Sequence, residues 1–147
     1  MTVKRVLFLC TGNACRSQMA EGWARSLHPG VLEPCSAGVM KAGVDPRAVR
    51  VMAEAGADIS GQYSKTVDEL PGQELDAVVT LCDRANESCP FFPGRVVRLH
   101  RGFDDPPSLA LAARDEEEAL AAYRRVRGEI REFVRGLPDL LAEPDQG

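Results

Sequence analysis

Val6-Leu7-Phe8-Leu9-Cys10-Thr11-Gly12-Asn13-Ala14-Cys15-Arg16-Ser17 passes from an apolar block directly into a turn of small and polar residues. Val6-Leu7-Phe8-Leu9 has the unbroken hydrophobicity of a parallel strand buried on both faces. A helical pattern begins at Ser17, with Met19, Trp23 and Leu27 recurring every four residues. The loop between them, C-x-x-x-x-x-R, opens with a thiol and closes with a guanidinium at a helix N-terminus. Inward-pointing amides and the helix dipole make such a loop a cradle for a tetrahedral dianion. The same field favours a nucleophilic thiolate at Cys10. Arg16 adds a planar fork able to hold two oxygens at once. These parts imply attack by sulfur on an oxyanion centre.

Outward from this loop, four strand candidates alternate with helical patterns, the signature of a parallel α/β sheet. They are Val3–Leu9, Val31–Cys35, Leu75–Leu81 and Arg95–Leu99. Pro34 consigns the second to a sheet edge. Asp45-Pro46 predicts an N-cap and first helical residue, with Gly56 closing that helix. A last helix starts at Asp115, with Glu118 completing a capping box. Leu120, Tyr123, Val126, Ile130, Phe133 and Leu137 then step along one face until Gly136 and Pro138 end it. Residues 138–147 read as a flexible tail of a single domain spanning 1–147. Chemistry in parallel sheets gathers at the carboxyl ends of strands. If the first and third strands are neighbours, Cys10 and Cys82 face one crevice.

The chain has 147 residues and a net charge of −4, so an anion is captured locally rather than steered by the whole surface. There is no basic stripe for nucleic acid, no membrane-length apolar run and no leader pattern, so a cytoplasmic protein is expected. Five cysteines suit catalysis or metal binding better than crosslinks in a reducing compartment. A metal site is disfavoured: there is no C-x-x-C, and His28 and His100 stand far apart.

A second thiol pair, Cys82 and Cys89, lies seven residues apart in Cys82-Asp83-Arg84-Ala85-Asn86-Glu87-Ser88-Cys89-Pro90. In a regular helix that is two turns, a rise of about 10.5 Å. A disulfide needs Cα atoms roughly 4.4 to 6.8 Å apart. Bridging therefore requires this polar segment to unwind, as in a redox switch.

The loop Cys10-Thr11-Gly12-Asn13-Ala14-Cys15-Arg16-Ser17-Gln18-Met19-Ala20-Glu21-Gly22 resembles that of thioredoxin-coupled arsenate reductases. So do Val78-Val79-Thr80-Leu81-Cys82 through Cys89-Pro90 and Gly102-Phe103-Asp104-Asp105-Pro106. These enzymes share the low-molecular-weight tyrosine phosphatase fold, and the likeness extends to about Val134. It implies a three-layer α/β domain with a four-stranded parallel sheet in order 2-1-3-4 flanked by helices. It implies further that Cys10 attacks arsenate, held by Thr11, Gly12, Asn13, Ala14, Cys15 and Arg16, with Ser17 bonded to the thiolate. Asp105 would protonate the departing oxygen. Cys82 would then attack Cys10 sulfur, releasing arsenite, and Cys89 would resolve the bond to a Cys82–Cys89 disulfide reduced by thioredoxin. Phosphate and sulfate would bind as analogues, with no flavin or nicotinamide, in a monomer. Some relatives hold potassium through an Asn, a Glu, a Ser and an Asp. Asn13, Glu21 and Ser36 match the first three, while Lys65 stands fourth, and its ammonium is expected to replace the cation and pair with Glu21.

Milder roles suit other residues. Cys15 and Cys35 read as packed thiols, Trp23 and Met19 as core, His28 as a helix stop and His100 as a solvated loop residue. Asp104 reads as structural. The competing activity is a phosphotyrosine phosphatase using Cys10, Arg16 and Asp105, for which Cys82 and Cys89 would be passengers. The low aromatic content, 5%, argues against a grip on tyrosine rings.

Overall fold

In a computed structural model, residues 3–70 and 74–142 are described. β1 (Lys4–Cys10) pairs in parallel with β2 (Leu32–Gly38) on one side and β3 (Ala77–Thr80) on the other. β4 (Val97–His100) pairs with β3, giving the order 2-1-3-4 anticipated above. Successive strand residues face opposite sides of a sheet, yet Val6, Leu7, Phe8 and Leu9 are all buried. Both faces of β1 are therefore covered. Register brings Cys10 beside Gly38, Leu9 beside Thr80, and Thr80 beside His100, so the carboxyl ends of all four strands form one rim.

Pro34 does lie on an edge strand, but β2 runs three residues past Cys35. Ser36, Ala37 and Gly38 have weak strand propensity, and burial overrides it: Ser36 and Ala37 are fully enclosed. α1 (Arg16–Leu27) and α5 (Glu116–Arg135) pack together, with Trp23 Nε1 donating to Arg127 O at 3.2 Å. α2 (Pro46–Glu54) begins at an Asp45 N-cap that accepts from Arg47 N at 2.9 Å, and Gly56 follows with φ 85°.

Three expectations about the C-terminal half are corrected. Asp115 caps α5 by accepting from Glu118 N at 2.8 Å, but the Glu118 carboxylate turns to Arg114 at 3.1 Å, so only half a capping box forms. Val134, not Phe133, fills the core position late in α5; Phe133 is half-buried, edge-on to Phe103 with ring centroids 6.0 Å apart. Gly136 stays right-handed at φ −88°, and the chain continues into α6 (Leu137–Leu141) rather than a tail from 138. Proline is tolerated in that first turn because its missing N–H would have no helical partner, and Leu137 and Leu141 are buried. Residues 143–147 of the expected tail lie outside the described residues. No described helix is long and apolar enough to cross a membrane.

Candidate active site

β1 delivers Cys10 to the rim, 2% exposed, and α1 starts six residues later at Arg16. The loop between is held open by bonds made outward. The carbonyls of Cys10, Thr11, Gly12 and Ala14 accept from Val39, Met40, Ala42 and Asp45 amides at 2.9–3.2 Å. Ser64 Oγ also donates to Gly12 O, and Gln18 Nε2 to Asn13 O. Among the described residues, the amide nitrogens of Gly12, Asn13, Ala14 and Cys15 donate to no protein acceptor. With every carbonyl drawn outward, the amides are left for a bound oxyanion.

Asn13 takes the left-handed backbone at φ 49°, which asparagine tolerates better than most side chains. Its side chain recovers the cost: Nδ2 donates to Ser17 Oγ at 2.8 Å, and Oδ1 accepts from Lys65 N at 2.9 Å. Ser17 Oγ is 2.8 Å from Cys10 Sγ. A chain of polar contacts thus runs from the Cys10 thiol to β2, closed by Gly38 N donating to Lys65 O at 2.9 Å.

Arg16, 8% exposed, projects into the same loop. Nη1 donates to Phe103 O at 3.2 Å, and Nη2 lies 3.4 Å from Asp105 Oδ1. Its Nε is buried with no partner among the described residues. A buried donor left unpaired is costly, and an oxyanion would satisfy it. Asp105 precedes α4 (Pro106–Ala110), accepts from Ser108 Oγ at 2.8 Å, and its side chain is 38% exposed. Asp104 points away, to Arg125 at 3.0 Å.

Cys82 Sγ lies 3.3 Å from Thr11 Oγ1, placing a second thiol against the residue after Cys10. It is the N-cap of α3 (Asp83–Glu87), accepting from Ala85 N at 3.4 Å. The helix is shorter than the spacing suggested: Cys82 and Cys89 flank it rather than share its face. Cys89 is half-buried at the far end, with Arg98 Nη1 on its sulfur at 3.2 Å. All five cysteines are free thiols. Burial, reinforced by Asp45, pushes the Cys15 thiol well above its ordinary value; burial and then Glu21 push Cys35 up to about 11. Both suit packed, protonated thiols.

Lys65 does not pair with Glu21. The Glu21 carboxylate accepts from Ser36 Oγ at 2.6 Å and pairs with Arg25, one helical turn on, at 2.7 Å. Lys65 Nζ instead donates to Tyr63 O at 3.0 Å and lies 4.2 Å from the Tyr63 ring centre. The lysine braces the loop through its backbone rather than its ammonium. Among the described residues no group of three or more His, Cys, Asp or Glu is placed to hold a metal ion. His100 is also corrected: it ends β4, with its ring on Thr80 and Asp83. Sequence reasoning overlooked Arg98 and the Phe103 carbonyl, neither of which carries a local sequence signal for its role.

The family described as low molecular weight phosphotyrosine protein phosphatase matches residues 5–145. The arsenate reductase of Halalkalibacterium halodurans is 47% identical over 135 residues, covering 92% of this chain and 95% of that protein. A solved arsenate reductase in its phosphate-binding state superposes with a TM-score of 0.76 at 31% identity, covering 95% of this chain and all of that one. The low molecular weight protein tyrosine phosphatase of T. tengcongensis superposes at 0.70 with 28% identity, covering 93% and 99%.

Proposed function

The chain belongs to the low molecular weight phosphotyrosine protein phosphatase family, and within it we propose an arsenate reductase working through a relay of three thiols. The observation that carries this reading is the Cys82 thiol resting on Thr11 at 3.3 Å, beside the nucleophile's loop. Hydrolysis of a phosphocysteine has no use for a second sulfur there.

Cys10 sulfur attacks the arsenic of arsenate while the loop amides of residues 12–15 and the Arg16 fork hold its oxygens. One oxygen departs as water, taking a proton from Asp105. Cys82 sulfur then attacks Cys10 sulfur. The S–As bond breaks and leaves its electron pair on arsenic, so As(V) becomes As(III), arsenite is released, and the two sulfurs join. Cys89 attacks Cys82 sulfur, Cys10 leaves as thiolate, and the oxidising equivalent ends as a Cys82–Cys89 disulfide. An external dithiol, thioredoxin, takes up that bond, so the net change is arsenate plus dithiol to arsenite, disulfide and water. Ser17 and Asn13 position Cys10. A reducing, cytoplasmic compartment suits such chemistry.

The second reading is a phosphatase in which water cleaves the cysteinyl phosphate, and the shared loop with Asp105 beside Arg16 favours it. Cysteine-to-serine variants separate the two. Cys10→Ser is expected to abolish both arsenate turnover with thioredoxin and aryl-phosphate hydrolysis. Cys82→Ser and Cys89→Ser are expected to abolish steady-state arsenate turnover and keep hydrolysis. Full arsenate turnover by Cys82→Ser would overturn the relay.

A further inference from the structure

β4 reaches over the segment between its two cysteines at both ends. Arg98 and His100 are two residues apart on the strand, so they project to the same side. Arg98 Nη1 donates to Cys89 Sγ and Nη2 to Pro90 O, each at 3.2 Å. His100 Nδ1 is 2.8 Å from Thr80 Oγ1, and its Nε2 is 3.2 Å from Asp83 Oδ1. Thr80 Oγ1 in turn contacts Asn86 Oδ1 at 3.3 Å, in the last turn of α3.

Besides these contacts α3 is held by packing against β1 and β3 and by its Cys82 cap. Isolated helices below about 12 residues are marginal in water, and α3 spans Asp83–Glu87 with only Ala85 buried. Folded, it separates two cysteines that must approach to roughly 4.4–6.8 Å between Cα atoms before they can bond.

We propose that β4 is a two-point clasp, His100 at the N-terminal end of α3 and Arg98 at its C-terminal end, that holds the segment folded and keeps Cys89 from Cys82 until exchange at Cys82 draws it off. This rests on reading Cys82 and Cys89 as a redox pair. The clasp bonds belong to the folded, dithiol form. Whatever they add to that form, they subtract from the tendency to bridge, by a thermodynamic cycle. His100 touches neither the Cys10 loop nor a cysteine sulfur in the contacts above and is a positioning residue, whereas Arg98 rests on Cys89 Sγ itself.

The test uses the full reduced chain with Arg98→Ala, His100→Ala and the double substitution. Amide hydrogen exchange is followed across residues 83–89. Separately, the protein is equilibrated with glutathione and its disulfide: one glutathione disulfide accepts two electrons, giving two glutathione thiols as Cys82 and Cys89 join. With each clasp point worth about one net hydrogen bond, exchange and the bridging constant are expected to rise about threefold per single substitution and about tenfold in the double. Exchange across β1 and α1, and aryl-phosphate hydrolysis, are expected to stay unchanged. His100→Gln, which keeps an N–H, is expected to restore part of the protection. Unaltered exchange at 83–89 in the double variant overturns the clasp, as does acceleration spread equally through β1 and α1. If Cys82 and Cys89 never bridge in the glutathione buffer, the redox reading fails, and the exchange result still decides whether the clasp holds α3.

Discussion

At Gly38 the sheet and the Cys10 loop approach so closely that a Cβ would sit 2.7 Å from Asn13 N and closer still to Met40 O, both backbone atoms. Neither can yield without moving the loop. Gly38→Ala is therefore expected to cost about 1–3 kcal/mol by overpacking. At roughly 2–4 °C per kcal/mol for a domain this size, a thermal melt would register the loss. The loop's geometry was legible in sequence because a thiol, small residues and a guanidinium between a strand and a helix announce a cradle directly. Lys65 was not. Which cation reaches Glu21 depends on side-chain geometry, and Arg25 on the next turn of α1 takes it.

Between elements, α2 and α5 are tied by ions. Arg124 makes a two-pronged contact to the Glu54 carboxylate at 2.9 and 2.8 Å, and Arg127 adds a third at 3.2 Å. The Arg124 bond is the main cause holding Glu54 down to about 2. A carboxyl depressed in the folded state stabilises fully above its unfolded pKa of about 4.3 and loses that contribution as pH falls towards the folded value. Glu54→Gln is accordingly expected to lower the melting temperature at pH 7 and to flatten its decline between about pH 5 and 2, read by melts across that range. Helices α2 and α5 were readable because periodicity and capping residues agree along them, and α1 by periodicity alone. α4, α6 and the shortness of α3 were not, since five residues, under two turns, leave too few positions for a period, and tertiary contacts decide.

Across the whole molecule, the parallel pairing follows from strands that alternate with helices, which the sequence carries plainly, while the order 2-1-3-4 was implied by the resemblance. What it hides is where the last layer ends. α6 seats Leu137 and Leu141 in the core, although the local Gly-Leu-Pro reads as a terminator. Leu137→Ala is expected to destabilise the domain by about 2–5 kcal/mol through the lost contacts and residual cavity, seen as a lower denaturant midpoint.

The outer strand of the sheet presents guanidinium and imidazole to the segment above it, not leucine or valine. Were that segment to lift, water would meet a guanidinium and an imidazole instead of oil, and a strand flank carrying the Arg98 charge resists pairing with a second copy of itself. If the proposed relay opens this side at each turnover, what it bares to solvent is a polar flank already suited to water.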